Sequence, residues 1–206
     1  MKNIVILGST GSVGRNVLEV IRHYPEKFRV KAISSNSNID LLARQAEEFR
    51  PEHVAVADGD LHAGLKDMLK GGYDVIAGPG ALERIATIED ADIVFMAVSG
   101  TPALRPLVAA LKAGKTIALA SKEPVVSAGA TLRRLAEENS ATIIPVDSEH
   151  SAIMQCLCGR KPEEVRTLYI TGSGGPLRST RPEEFDSLSI ERILDHPKWD
   201  MGPKIT

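Results

Sequence analysis

The chain has 206 residues, with 25 Lys and Arg against 27 Asp and Glu and a formal net charge of -2. That balance leaves no cationic footprint for a nucleic acid or an anionic membrane, and an aromatic content of 4% offers little for a base-stacking surface. At 43% hydrophobic, with apolar runs no longer than a strand, the sequence describes a globular chain able to bury a core, without a bilayer span or secretory leader.

Residues 3–7 form an aliphatic run that ends at Gly8, as in a strand buried on both faces of a parallel sheet. Val13, Val17, Val20 and Ile21 then recur on one helix face. Residues 28–33 read as a second strand. Ile39, Leu42, Ala43, Ala46 and Phe49 mark a second helix, and residues 53–57 a third strand. Residues 61–70 read as a helix stopped by Gly71 and Gly72, followed by strands at 74–77 and 93–98. Leu104, Leu107, Val108 and Leu111 form an amphipathic helix, residues 116–120 a strand, residues 131–138 a helix that starts near Pro124, and residues 142–146 a last strand. Such alternation predicts an α/β fold with a parallel sheet and right-handed crossovers. Beyond residue 146 the regular alternation weakens, although residues 167–171 still read as a strand. Two domains are therefore expected, 1–146 and 147–206. The final Pro203-Lys204-Ile205-Thr206 has neither a helix cap nor a polar tail, as expected of an interrupted domain.

Gly8, Gly11 and Gly14 lie between the first strand and the first helix. This is the place of the dinucleotide fingerprint, in which glycines permit a tight turn, a close pyrophosphate and close helix–strand packing. The spacing G-x-x-G-x-x-G is one residue longer than the common form, and a tight turn without a ligand is the alternative. After the second strand, Ser34-Ser35-Asn36-Ser37-Asn38 carries no carboxylate before Asp40. An NAD site would place an acid there, so the sequence favours NADP.

Asp147 and Glu149 follow the last strand of the alternating region, two residues apart, and in extended backbone they project to one side. Two such carboxylates suit a hard cation such as Mg²⁺ or Mn²⁺, and a solvated acidic turn at a helix N-cap is the other reading. His150 reads as a neighbour rather than a ligand. Lys122 follows a strand, at the sheet end where such folds bind ligands. The Gly-rich segment 171–176 reads as an anion nest or a plain turn, and Trp199 as a lid or a loop anchor. Cys156 and Cys158 are too few for a disulfide framework and too close for a redox C-x-x-C, so a reducing, cytoplasmic compartment is expected.

Five segments occur together in order: ILGSTGSVG at the start, ALASKE at 118–123, PVDSEH at 145–150, TGSGGP at 171–176 and HPKWDMGPK at 196–204. Through them the chain resembles the 1-deoxy-D-xylulose 5-phosphate reductoisomerase family, NADPH-dependent enzymes of non-mevalonate isoprenoid biosynthesis. The resemblance implies a Rossmann-like domain followed by the truncated start of a catalytic α+β domain. It implies that Gly8, Thr10, Gly11, Ser12 and Val13 hold the cofactor diphosphate, with Asn38, Ser121, Glu123 and Gly202 completing the NADPH site. It implies that Asp147 and Glu149 bind the divalent metal, and that Lys122, Ser148, Glu149, Ser173, His196 and Trp199 serve the phosphosugar substrate. Lys122, Asp147 and Glu149 are the implied catalytic residues. The family often has Gly-Lys-Asn where this chain has Asn36-Ser37-Asn38, and Asn where it has Ser121. The resemblance further implies a homodimer at full length, and that the present chain binds cofactor without turnover because a third metal carboxylate and further substrate contacts lie in a later segment. The rival expectations are another NADP-linked dehydrogenase of the semialdehyde or homoserine type, or a nucleotide-binding module without enzymatic activity.

Overall fold

A computed structural model describes residues 1–172 and 174–196. Its contacts divide the chain into two units, Met1–Ser151 and Ala152–Thr206.

The first unit is one parallel sheet. Its strands are β1 (Lys2–Leu7), β2 (Phe28–Ser35), β3 (His53–Val56), β4 (Asp74–Ala77), β5 (Ile93–Met96), β6 (Thr116–Leu119) and β7 (Thr142–Pro145), in the spatial order β4-β3-β2-β1-β5-β6-β7. The aliphatic runs are explained by burial on both faces: Val5, Ile6 and Leu7 of β1 are wholly enclosed. Helices α1 (Ser12–His23), α2 (Ile39–Phe49), α3 (His62–Met68), α4 (Ala81–Ala86), α5 (Leu104–Lys112) and α6 (Glu123–Glu138) connect the strands. Two cores result. One packs Leu18, Ile21, Leu42 and Leu65 against Ile6 and Ile33, and the other packs Ile85, Leu107, Leu111 and Leu132 against Leu7, Val94, Met96 and Ile117.

The helix α4 was not expected from the sequence; it has only six residues, too few to show a period. The apolar face expected of α1 also needs correction. Its buried residues are Gly14, Leu18 and Ile21, whereas Val13 and Val20 are exposed. With Phe95, Ala118, Ile144 and Val146 these valines line an apolar groove of about 510 Å³.

Lys31 shows how a parallel sheet accepts a charge. Its side chain is only 9% exposed, and Nζ bridges Glu52 at 2.6 Å and Asp90 at 2.7 Å. Hydrogen bonds from Lys31 hold both carboxyls below their usual values, and those of Asp90 and Glu52 hold the ammonium above its own. Stability from the lowered carboxyls is present above the ordinary carboxylate pKa and is lost as pH falls through their lower folded values; that from Lys31 is lost only as pH rises through its raised value. The carboxylates are about half exposed, so screening keeps the contribution small. Lys31→Met is expected to cost about 1 kcal/mol at pH 7 and to flatten the acid limb of stability, as read by urea unfolding from pH 2.5 to 7.

In the second unit, helix α8 spans Ile190–Leu194 and short 3₁₀ turns occupy Pro162–Glu164 and Pro182–Ser187. Helix α7 (Ser148–Leu157) runs across the boundary between the units. The expected strand at 167–171 is not formed: these residues are irregular, with Tyr169 and Ile170 exposed. A strand is defined by its ladder, and no described residue of the unit pairs with this one. Among the described residues of the unit no side chain is buried.

Candidate cofactor and metal site

Strand order places the site. Parallel strands end together, so the segments after β1, β2, β5, β6 and β7 share one edge of the sheet. There the order reverses between β1 and β5, the kind of crevice where open α/β sheets bind ligands.

The loop after β1 is built on glycine. Gly8 has φ +85°, and a Cβ there would lie 2.7 Å from the Ala97 carbonyl oxygen beyond β5. A Cβ on Gly14 would meet the Gly8 carbonyl oxygen and stand 2.6 Å from Ser9 Cα, so the third glycine is what lets α1 turn this close to β1. Gly11 differs. It has extended backbone before the first residue of α1, and a Cβ there would come no nearer than 3.5 Å to Gly8 O. Nothing among the described residues demands glycine at that position, which fits an external group approaching the backbone there. Ser12 and Val13 are exposed in the first turn of α1, whose free N–H groups suit an anion.

Buried hydrogen bonds tie this loop to β2 and α2. Gly8 N donates to Ser34 Oγ at 3.1 Å, and Ser9 N to the Ser34 carbonyl at 2.8 Å. Ser9 Oγ donates to Gln45 Oε1 at 2.7 Å, and Gln45 Nε2 donates to the Ser9 carbonyl at 3.0 Å. Thr10 Oγ1 lies 2.8 Å from Ser35 Oγ, which accepts from Asn38 N at 3.1 Å. Asn38 Oδ1 caps α2 by accepting from Leu41 N. The sequence marks Ser34 and Ser35 only as uncharged residues after the second strand and Asn38 as an implied NADPH residue, and it assigns nothing to Ser9 or Gln45. The available signal was a polar residue flanked by the buried face of α2, Leu42, Ala43 and Ala46.

On the other side of the crevice, Leu119 of β6 pairs in register with Pro145 of β7. This brings Lys122 and Asp147 together, with Nζ 3.3 Å from Oδ2. Ser121, beside Lys122, is buried and donates its hydroxyl to the Val98 carbonyl. Glu123 opens α6 and is half-buried. His150 Nδ1 lies 3.6 Å from Asp147 Oδ1. The two carboxylates do not meet along extended backbone, as the spacing had implied. Asp147 precedes α7, its carbonyl accepting from Ser151 N at 2.8 Å, while Ser148 and Glu149 are already helical. Partial burial pushes the Asp147 carboxyl up. The Lys122 ammonium, hydrogen bonds with Glu149 and Lys122, and the charge of His150 outweigh that, so the group sits below the ordinary Asp value. Asp147 therefore carries its charge at neutral pH. Beside it opens a cavity of about 610 Å³ with Val125, Leu132, Ile143 and Pro145 in its wall.

The oxygen donors of Asp147 and Glu149 suit a hard divalent cation, although the described residues contain no cluster of three or more His, Cys, Asp or Glu able to hold one. Of the remaining expected residues, His196 lies in the second unit, and Ser173, Trp199 and Gly202 fall outside the described residues. No helix among the described residues is long and apolar enough to cross a membrane.

Residues 4–129 match the family model of 1-deoxy-D-xylulose 5-phosphate reductoisomerase, and residues 143–206 match its C-terminal domain. The curated 1-deoxy-D-xylulose 5-phosphate reductoisomerase of Pelotomaculum thermopropionicum is 46% identical over the whole chain and 54% of its own length; that of Protochlamydia amoebophila is 45% identical, with 53% of its length covered. The chain thus spans about half the length of the curated relatives it matches. Among solved structures, a DOX-P reductoisomerase in complex with NADPH, fosmidomycin and magnesium matches at a TM-score of 0.91 and 33% identity, over 98% of this chain and 52% of that one. The 1-deoxy-D-xylulose 5-phosphate reductoisomerase from Zymomonas mobilis, in complex with NADPH, matches at 0.87 and 36%, over 95% and 52%. From the glycine loop and the Lys122–Asp147 crevice to these matches along its whole length, the chain belongs to the 1-deoxy-D-xylulose 5-phosphate reductoisomerase family.

Proposed function

We propose that the chain provides the NADPH site and part of the metal site of an enzyme that rearranges and reduces 1-deoxy-D-xylulose 5-phosphate to 2-C-methyl-D-erythritol 4-phosphate. The observation that carries this reading is the shared edge of one sheet: a glycine loop after β1, and a charged Lys122–Asp147 pair with Glu149 after β6 and β7.

Thr10, Gly11, Ser12 and Val13 would hold the diphosphate at the start of α1, and Gly8 the turn that precedes it. Asn38 would lie on the 2′-phosphate side, with Ser121, Glu123 and Gly202 toward the nicotinamide. Asp147 and Glu149 would hold Mg²⁺ or Mn²⁺. Lys122 would share the substrate's oxygens with them, while Ser148, Ser173, His196 and Trp199 would orient the phosphosugar. A bound cation supplies Lewis acidity for the carbon-skeleton rearrangement, and the reduced nicotinamide supplies the two electrons that reduce its product. The chain's own residues orient these partners. Lys122 keeps Asp147 ionised, ready to accept a cation, and offers an ammonium beside a largely apolar cavity, where its charge is less screened than in open water. Two exposed, unbridged cysteines, Cys156 and Cys158, fit a reducing compartment, and we place the full-length enzyme in the cytoplasm as a homodimer.

The turn after β2 exposes Asn36, Ser37 and Asn38 and brings no carboxylate before Asp40. The chain is therefore expected to bind NADPH at least about tenfold, or roughly 1.4 kcal/mol, more tightly than NADH. Calorimetric titration with both at one ionic strength tests this; equal affinities would remove the assigned role of the turn, and binding of neither would remove the cofactor reading.

A further inference from the structure

We infer that Gln45 is a positioning residue for the cofactor, holding the diphosphate loop in its binding shape through Ser9. This rests on the NADPH reading above.

Gln45 belongs to α2 and is not itself one of the residues expected to hold the diphosphate. Its side chain is nonetheless turned inward, 6% exposed, between Leu42, Ala43 and Ala46. A primary amide in that position is costly unless both of its ends are satisfied. Both ends are satisfied by one residue: Oε1 accepts from Ser9 Oγ and Nε2 donates to the Ser9 carbonyl. Ser9 is itself wholly buried and stands between Gly8 and Thr10. The amide thus grips the loop at its backbone and its side chain together, a two-point attachment that fixes orientation as well as distance. Ser34 completes the grip from below, its carbonyl accepting from Ser9 N and its Oγ from Gly8 N.

The consequence reaches the ligand through the backbone. Gly11 N donates to the Gly8 carbonyl, and the Gly11 carbonyl accepts from Arg15 N, so the start of α1 is registered on the segment that Gln45 holds. With the amide removed, the Ser9 carbonyl loses this donor and the hydroxyl keeps only the Ser34 carbonyl, 3.2 Å away, so residues 8–11 are expected to sample other conformations. N–H groups that must converge on a diphosphate would then be ordered at the expense of binding free energy. The Thr10–Ser35–Asn38 contacts form a separate tie to the 2′-phosphate side, so a ligand lacking the diphosphate should be insensitive to Gln45.

The test uses the 206-residue chain with NADPH, NADH and adenosine 2′-monophosphate as titrants, and NADP⁺ for the pH series. Gln45→Leu keeps a side chain of similar bulk and removes both hydrogen bonds. It is expected to raise the Kd of both dinucleotides at least about tenfold while leaving that of adenosine 2′-monophosphate within twofold. Gln45→Glu is the discriminating variant. Its ionised carboxylate can accept from Ser9 Oγ but cannot donate to the Ser9 carbonyl, whereas its protonated form can do both. Its NADP⁺ affinity, taken as a ratio to the parent chain, should recover as pH falls from 8 to 5.5, while the ratio for Gln45→Leu stays flat. Parent-like dinucleotide binding by Gln45→Leu overturns the assignment of Gln45 alone. Equal losses for all three titrants overturn it too, as general loosening, and so does a flat ratio for Gln45→Glu. If the parent chain binds neither dinucleotide, the cofactor reading fails first and the assignment falls with it.

Discussion

Gly14→Ala is expected to cost about 3 kcal/mol or more of stability and to abolish measurable NADPH binding. The new methyl would meet the Gly8 carbonyl oxygen, with Ser9 Cα at 2.6 Å and Gly8 C at 2.9 Å. All three atoms are backbone, so no rotamer change relieves the clash; α1 must move away from β1, and Leu18 and Ile21 move with it. Gly11→Val supplies the contrast. Its Cβ has room, and the position already has φ -73° in extended backbone, which valine adopts readily. That variant should unfold at a denaturant concentration close to the parent's, yet bind NADPH at least about a hundredfold more weakly, because the side chain would occupy the diphosphate's place. Urea unfolding and calorimetry on the two variants separate the packing glycine from the binding glycine. Parent-like NADPH binding by Gly11→Val would mean that the loop does not cradle phosphate.

Asp147→Asn should weaken Mn²⁺ binding by at least about tenfold, near 1.4 kcal/mol, with the NADPH Kd unchanged within twofold. The substitution preserves size and removes the charge that Lys122 now holds in place at 3.3 Å. Magnetic resonance of free Mn²⁺ during a titration reads the loss directly. The same pair sets a pH dependence. Asp147 lies below its ordinary value, so the stability and cation affinity it contributes are complete above that ordinary value and are lost as pH falls through the lower, folded one. Lys122→Met removes the main opposition to burial and should raise the Asp147 midpoint, as followed by side-chain carbonyl NMR. An unmoved midpoint would mean that the ion pair is not what keeps the carboxylate charged.

Strand positions were legible because the central strands of a parallel sheet are covered on both faces and read as aliphatic runs, as residues 4–7 do. Gly14 was legible because its contacts, with Gly8 and Ser9, are made within the loop itself, whereas the approach of Gly8 to Ala97 left no local mark. The proximity of Lys122 and Asp147 was not legible either. Both visibly follow strands, but only the adjacency of β6 and β7 puts them in contact, and neighbour relations in a sheet leave no local mark on the sequence. Helix α7 was hidden for a different reason. It buries no side chain, so its residues carry no period, and Asp147 and Glu149 read as extended when Glu149 is helical. Residues 167–171 illustrate the converse, a β-forming composition without a described partner to make it a strand. The buried amide of Gln45 was recorded in the sequence only as one polar residue among apolar neighbours.

The N-terminal strand lies in the middle of the sheet, and this shapes the order of events during synthesis. β1 meets β2 within some thirty residues, since Ile4 pairs with Val30, but its other edge waits for Ile93, 93 − 4 = 89 positions later. At ribosomal rates of roughly 10 residues per second, the edge of Ile4-Val5-Ile6-Leu7 stands open for on the order of ten seconds after it is made. It is uncharged, aliphatic and free of proline, the composition that pairs most readily with a foreign strand. A nascent chain ending before β5 is accordingly expected to aggregate more readily than one that includes it.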